Sequence, residues 1–122
     1  TNYLACLLPN TPATEGIMDL SVFNKMPRGS YVLNAGRGSQ LVEPDLLEAL
    51  NNGQIKGAAL DVFETEPLPK DHPFWTDSRI LLTPHHAAEV FLPAAAKIFL
   101  KNIYSIRNNQ PLTGLVNQEL GY

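Results

Sequence analysis

The sequence has very little cysteine: Cys6 is the only one, so a framework of internal disulfides is excluded. We expect Cys6 to be a buried thiol in a reducing compartment, which agrees with a cytoplasmic location. No apolar run approaches the roughly 18 residues that a membrane-spanning helix needs, and no signal-peptide pattern precedes the first polar stretch. The chain starts without Met, and we therefore expect it to begin inside a domain.

Positive charge is also scarce. Nine lysines and arginines stand against twelve aspartates and glutamates, which gives a net charge of −3. Because there is no long basic run, the sequence predicts neither a nucleic acid nor a membrane surface as partner. What remains is ordinary globular composition, 44% hydrophobic and 17% charged, in a chain of 122 residues that is long enough to form one domain's core.

Short apolar runs alternate with helical patterns along the chain. The clearest helix is predicted over residues 43–53, with Pro44 in its first turn and Gly53 just past its end. A shorter helix is predicted within residues 11–29, and a third helical pattern covers residues 87–109. The predicted strands are residues 3–9, 30–34, 55–62 and 79–83, and the proline-rich residues 63–78 are predicted as a loop. This alternation predicts an α/β fold with a parallel sheet.

Polar and charged residues follow the strands at one edge of this predicted sheet. Arg37 comes after the second strand, Asp61 and Glu66 follow the third, and His85 follows the fourth. The carboxyl ends of parallel strands meet at the same edge, where open sheets of this kind bind their ligands. We therefore expect the four side chains to cluster, with a Glu66 carboxylate oxygen within hydrogen-bond reach of a His85 ring nitrogen.

The stretch "NAGRGSQL" is similar to the start of a dinucleotide-binding loop, because Gly36 and Gly38 follow a strand. It lacks the third glycine, where Leu41 stands, and Glu43 would bring a negative charge to the place where a pyrophosphate docks. This stretch is therefore not predicted to be the phosphate loop. The small residues Ala35 and Gly36 still allow a flat ligand to approach the backbone.

A metal site is the alternative for the two adjacent histidines. His86 and Glu89 are three residues apart and would bind a metal together with His85 or Asp61. Adjacent histidines on one element point in different directions, however, and no third ligand has a recognisable spacing. We predict no metal, and we interpret His86 as a neighbour without a role of its own.

Four stretches resemble the D-isomer-specific 2-hydroxyacid dehydrogenases, over about residues 3–90. The resemblance implies the second half of a doubly wound, Rossmann-like nucleotide-binding domain over residues 1–109, and a tail, 110–122, that returns to a substrate domain. The loop "PLPKDHPFW" and the ending "GY" are most similar to the glyoxylate/hydroxypyruvate reductase A subfamily. The four stretches are "LLPNTPAT", "MPRGSYVLNAGRGSQLVEPDLLEAL", "GQIKGAALDVFETEPLP" and "LLTPHHAA".

The resemblance also implies roles for particular residues. The family's Arg–Glu–His catalytic set corresponds to Arg37, Glu66 and His85, and its cofactor is NAD or NADP. It further implies a 2-oxo acid or 2-hydroxy acid as substrate and a cytoplasmic homodimer. The residues expected to contact the cofactor are Pro9, Asn10, Thr11, Ala35, Gly36, Arg37, Asp61, His85 and Ala87.

The chemistry of these side chains suits the reduction of a 2-oxo acid. The planar fork of Arg37 is able to bind a carboxylate at two points. A carboxylate such as Glu66 favours the charged form of a neighbouring histidine, which then donates a proton to the forming alkoxide. The hydride must come from a cofactor, because no side chain supplies one.

Other interpretations of the same residues stay open. Taken alone, Arg37 is also typical of a surface turn, Glu66 of a solvated loop and His85 of a helix cap. We assign no role to His72, and we expect Glu64 to be a solvated acid. The whole chain would alternatively be a non-catalytic dinucleotide sensor or corepressor, or a fragment without activity.

The helical pattern of residues 87–109 has an apolar arc wider than one sheet face needs. We therefore expect part of it to be exposed and the isolated chain to self-associate. The residues of this arc and of the tail behind it are Ile98, Phe99, Leu100, Ile103, Ile106, Leu115, Val116 and Tyr122.

Overall fold

The computed structural model describes residues 1–88 and 90–120. Its four strands form one sheet in the order β1-β2-β3-β4, and every neighbouring pair is parallel, which confirms the predicted α/β architecture. The strand β2 has the predicted bounds, and the other three strands are shorter than predicted. β1, for example, ends at Cys6, and Leu7 and Leu8 are exposed in the turn that follows. The strand bounds are β1 Tyr3–Cys6, β2 Ser30–Asn34, β3 Ile55–Leu60 and β4 Ile80–Leu82.

Two helices connect the strands. Helix α1 (Leu20–Phe23) begins after Asp19, whose side chain accepts a hydrogen bond from the backbone N–H three residues further on. Helix α2 (Glu43–Asn51) has proline in its first turn, as predicted. Gly53 follows its end with a φ of 76°, a conformation that glycine adopts without steric cost. The segment predicted as a loop contains one short 3₁₀ turn, Pro73–Trp75, which its weak periodicity did not reveal.

The core lies between one face of the sheet and the two helices. Phe23, Leu46 and Ile55 are fully buried there, and each such side chain contributes about 1.5–3 kcal/mol of apolar burial. Residues alternate along β2, so its other side chains lie on the opposite face, where Tyr31 stacks on Tyr3 of β1 with ring centroids 5.4 Å apart. The helices thus cover one face of the sheet.

The chain divides into two compact units, Thr1–Ala87 and Ala88–Tyr122. The second unit contains helix α3 (Leu92–Arg107), which begins five residues later than the predicted position 87. Pro93 suits the first turn of a helix, and the backbone N–H of Ala87 is bound elsewhere, by Asp61, so the earlier start was wrong. The assignment of residues 1–109 and 110–122 to separate domains stays a prediction.

The apolar side chains of α3 are largely exposed. Phe99 and Leu100 are 66% and 64% exposed, Ile103 is partly buried, and Ser105 is the buried residue of the helix. The tail folds back on the helix through two reciprocal hydrogen bonds between Asn102 and Thr113, both 2.9 Å. The exposure predicted for Ile98, Phe99, Leu100, Ile106, Leu115 and Val116 is confirmed, whereas Tyr122 lies outside the described residues. Self-association stays a prediction.

Candidate functional site

The residues that follow the four strands lie at the carboxyl edge of the sheet, as predicted, because all the strands run in parallel. The turn after β1 contains Pro9–Thr11, the turn after β2 contains Ala35–Arg37, and Asp61 directly follows β3. The segment after β4 contains His85, whose φ is 53°. Among the described residues, His85 and Asn109 are the two that have a positive φ without being glycine. Histidine is among the residue types that tolerate this left-handed conformation.

Glu66 and His85 form the central pair of this edge. The Nδ1 atom of His85 lies 2.8 Å from Glu66 Oε2, so the predicted contact is confirmed. The other carboxylate oxygen, Oε1, accepts a hydrogen bond of 3.0 Å from the backbone N–H of Phe63. The hydrogen bond to His85 and the one from Phe63 lower the pKa of Glu66, with further help from the charges of His85 and Arg37. Glu66 is therefore ionised at neutral pH, and Glu64 is exposed, as expected.

Asp61 holds the segment that presents His85. Its Oδ1 atom accepts hydrogen bonds from the Thr83 hydroxyl and, at 2.9 Å, from the His86 N–H, while Oδ2 accepts one of 2.8 Å from the Ala87 N–H. Burial raises the pKa of Asp61, but these three hydrogen bonds and the charge of His85 outweigh it, so the pKa lies below its usual value. An ionised Asp61 thus stabilises the left-handed turn at His85.

Arg37 is exposed at the same edge. Its Nη1 donates a hydrogen bond of 2.7 Å to Gly36 O, and its backbone N–H donates one of 2.9 Å to the side chain of Gln40. Its positive charge contributes to the lowered pKa of Glu66. Within the described part of the chain, Arg37 forms no ion pair with a carboxylate, so its fork is available to an anionic ligand.

The turn after β1 is fixed by its own side chains. The hydroxyl of Thr14 donates to Pro9 O (2.7 Å) and accepts from the Thr11 N–H (2.9 Å). The Asn10 side chain accepts a hydrogen bond of 3.0 Å from the Ser39 hydroxyl, which links this turn to the segment after β2. These turns therefore form a fixed, exposed edge.

The donors and acceptors of this edge suit a nicotinamide dinucleotide. Among residues 1–88 and 90–120, Asp61 Oδ2 accepts one hydrogen bond, so the atom retains the capacity to accept from a further donor, such as an amide. Arg37 adds an exposed positive charge beside the turns. The cofactor contacts that the resemblance implies stay predictions.

The packing of the chain itself requires a glycine at position 36, and the approach of a flat ligand to its backbone stays a prediction. A Cβ atom at this position would lie 2.3 Å from Gln40 Oε1 and 3.2 Å from Leu8 O. The space beside Gly36 is therefore filled by the chain itself. Gly38 is equally constrained, because a Cβ atom there would lie 1.8 Å from Phe63 O.

The metal alternative gains no support in the described residues, which contain no group of three or more potential ligands. Glu89 lies outside the described residues. The backbone of His86 is bound by Asp61, and the interpretation of its side chain as incidental stays a prediction. No helix within residues 1–88 and 90–120 has the length and apolar character needed to cross a bilayer.

Two buried polar clusters were not predicted. Gln40 is fully buried behind the turns, and its position three residues after Arg37 is half of a capping-box pattern, a signal that was available. Glu43 accepts a hydrogen bond from the Glu64 N–H (3.1 Å) and lies 3.3 Å from His72 Nε2. His72 thus connects the loop to helix α2, a role that no sequence pattern indicated.

Known proteins match this chain closely. Residues 1–87 match the family model described as D-isomer specific 2-hydroxyacid dehydrogenase, NAD binding domain. The chain is 49% identical to glyoxylate/hydroxypyruvate reductase A of Photorhabdus laumondii, over 95% of this chain and 37% of that protein. It is 48% identical to the protein of the same name from Escherichia fergusonii, over 100% of this chain and 39% of that protein. The chain thus spans about two fifths of the length of these relatives.

Two solved structures contain a cofactor and share the fold. One is a D-isomer specific 2-hydroxyacid dehydrogenase from Xanthobacter autotrophicus Py2 in complex with NADPH and MES, with a TM-score of 0.96 and 37% identity over 100% of this chain and 50% of that one. The other is an NADPH-dependent glyoxylate/hydroxypyruvate reductase from Sinorhizobium meliloti in complex with NADP and sulfate. Its TM-score is 0.93 and its identity 38%, over 100% of this chain and 40% of that one.

Proposed function

This chain belongs to the D-isomer-specific 2-hydroxyacid dehydrogenase family, and we propose that it provides the catalytic edge of an enzyme that reduces a small 2-oxo acid to the 2-hydroxy acid. The observation that carries the proposal is the pairing of His85 with Glu66 at 2.8 Å, on the same edge as the exposed Arg37. The names of the relatives favour glyoxylate or hydroxypyruvate as the substrate.

Each of the three side chains has a distinct task in this reaction. Arg37 binds the substrate carboxylate with its planar fork and polarises the adjacent carbonyl group. His85 donates the proton from Nε2 to the carbonyl oxygen, because its Nδ1 atom faces Glu66. Glu66 holds the ring in that orientation and stabilises the charged form of the imidazole. In the reverse direction, His85 takes the proton from the hydroxyl group.

A nicotinamide dinucleotide supplies the hydride that the carbonyl carbon receives. The residues that would hold it are those of the turns after β1 and β2, together with Asp61, His85 and Ala87. The two cofactor-containing structures described above hold NADP or NADPH, which favours NADPH over NADH. Hydride at the carbonyl carbon and a proton at the carbonyl oxygen together give the 2-hydroxy acid, and the cofactor is left in its oxidised form.

Two further properties belong to the proposal. The family resemblance favours a homodimer, and the lone Cys6, which is buried and free, agrees with the cytoplasm. Sedimentation of the protein as its gene encodes it tests the first property, and cell fractionation tests the second.

The activity is tested by following the oxidation of NADPH or NADH with glyoxylate or hydroxypyruvate, using the protein as its gene encodes it. We expect turnover with at least one 2-oxo acid and no turnover with a matching aldehyde, which lacks the carboxylate that Arg37 binds. Cofactor binding without turnover of any 2-oxo acid would contradict the proposal and favour a dinucleotide sensor.

A further inference from the structure

Gln40 is fully buried behind the candidate site, and its side-chain amide makes four hydrogen bonds. Its Nε2 donates to Leu8 O and to Pro9 O, both at 2.9 Å. Its Oε1 accepts from the Arg37 N–H at 2.9 Å and from the Cys6 thiol at 3.2 Å. A side-chain amide has two donor hydrogens and two lone pairs on its oxygen, so this group is saturated.

Three of the four partners of Gln40 belong to two different turns, and the fourth, Cys6, is the last residue of β1. Leu8 and Pro9 form the turn after β1, and Arg37 lies in the turn after β2. The first turn leads into Asn10 and Thr11, and the second carries the guanidinium group. The two turns are thus joined by one buried amide, and the orientation of that amide is fixed because each end has its own set of partners.

We propose that Gln40 is a positioning residue that sets the distance between Arg37 and the cofactor-lining turn at Pro9. This inference rests on the proposed function and deepens it. Hydride transfer requires the substrate carbonyl to be held at a fixed place relative to the cofactor. Arg37 holds the substrate and the turn after β1 lines the cofactor, so Gln40 fixes the relative position of the two reactants without contacting either.

The chain contains a matched control for this role. Gln54 also donates from Nε2 to two backbone carbonyl groups, those of Phe23 (2.9 Å) and Met26 (2.7 Å). It stands directly before β3 and therefore lies at the amino edge of the sheet, away from Arg37 and Pro9. A change at Gln54 removes a comparable pair of hydrogen bonds but leaves the carboxyl edge intact.

The first experiment compares Gln40→Leu with Gln54→Leu in the protein as its gene encodes it. Both variants are expected to melt at a lower temperature, because each leaves two carbonyl groups without a donor. Only Gln40→Leu is expected to lower kcat/KM for the 2-oxo acid, by roughly 10- to 100-fold, since small displacements of reacting groups are costly. Equal losses of activity in the two variants would overturn the proposal.

The second experiment uses Gln40→Glu and the pH profile. An ionised carboxylate at this position would face two carbonyl oxygens and have no hydrogen to donate. The protonated acid donates one hydrogen bond and still accepts from Arg37 N–H. We therefore expect the ratio of variant to wild-type kcat/KM to rise as the pH falls, and we expect no such rise for Gln54→Glu. A ratio that does not depend on pH would overturn the proposal.

Each outcome separates this inference from the proposed function. A wild-type protein without reductase activity would overturn both together. An active wild type with an unchanged Gln40→Leu variant would overturn the inference alone. If neither Gln40 variant folds while both Gln54 variants do, Gln40 is a determinant of folding and the positioning role is overturned.

Discussion

The two edges of the sheet are both rich in polar side chains, but they use them differently. At the amino edge, Arg79 donates to Leu50 O (2.7 Å), to the Asn51 side chain (2.9 Å) and to Asp77 (2.6 Å). Gln54 and Arg28 there likewise donate to backbone carbonyl groups. These side chains close the ends of helices and turns, and the charge of Arg79 is paired with Asp77.

At the carboxyl edge the hydrogen bonds converge on residues that remain exposed. Asp61 and Gln40 are buried and bind backbone groups, yet the segments they hold carry the exposed Arg37 and His85. The number of polar groups at an edge therefore does not identify a site. A site is indicated where buried polar groups fix the position of exposed charged ones.

The largest expected effect is that of His85→Asn. Asparagine tolerates the left-handed backbone at this position, so the fold is retained while the acid–base group is lost. We expect kcat/KM for the 2-oxo acid to fall by roughly 10²- to 10⁴-fold. His86→Asn serves as the control and is expected to stay near wild type in steady-state kinetics. A larger loss in the control than in His85→Asn would refute the assignment.

Arg37→Lys is expected to have the next largest effect, although it conserves the charge. Lysine lacks the two-point fork, so one charged hydrogen bond to the substrate carboxylate is lost. We expect kcat/KM to fall by about 10- to 100-fold as a result. The matched control is Arg79→Lys at the amino edge, where we expect a lower melting temperature but unchanged kinetics. Unaltered kcat/KM in Arg37→Lys would exclude a bidentate grip.

Glu66→Gln tests the support of the histidine. The amide has one acceptor oxygen where the carboxylate has two, so it accepts either from Phe63 N–H or from the His85 ring nitrogen. The charge is also lost, and a charge-assisted hydrogen bond is about twice as strong as a neutral one. We expect a fall of roughly tenfold in kcat. The neighbouring Glu64→Gln, which changes an exposed acid, should match the wild type. The role of Glu66 fails if the two variants behave alike.

The smallest effect is expected at the amino edge. Arg79 lowers the pKa of Asp77 from 3.8 to about 2 through a side-chain hydrogen bond. A lowered pKa means that the ionised group stabilises the fold above pH 3.8 and that this contribution disappears as the pH falls towards about 2. Asp77→Asn should therefore melt slightly below the wild type at neutral pH, with the difference closing in acid. Activity should not change, and a kinetic defect would break the contrast between the edges.

Much of this fold was predictable from the sequence. The apolar runs gave the four strands, and the proline and glycine at the ends of α2 gave its position within two residues. The edge location of Arg37, Asp61, Glu66 and His85 followed from the parallel order alone. The start of α3 was missed because the segment after β4 is bound by Asp61, a contact between residues 25 and 26 positions apart.

The long-range contacts of the buried residues behind the site were beyond the reach of sequence patterns, although the spacing of Gln40 from Arg37 was a local signal. Gln40 binds carbonyl groups 31 and 32 residues earlier in the chain, and backbone carbonyls leave no mark on residue type. Glu43 was predicted only as a charge at a helix start, whereas it binds the loop through Glu64 and His72. Contacts of a side chain with distant backbone are decided by the tertiary fold, and hydrophobic periodicity does not contain them.

The 2.3 Å between Gln40 Oε1 and the place of a Cβ atom at Gly36 makes these two positions mutationally dependent on each other. Gly36→Ala clashes with this oxygen, which belongs to an amide that four hydrogen bonds hold in place, and relief requires a shorter residue at position 40. With that change made first, the nearest remaining obstacle is Leu8 O at 3.2 Å, which a shift of a few tenths of an ångström relieves. The order of substitution therefore matters. Gly36→Ala is expected to be tolerated after position 40 has been shortened, but not before.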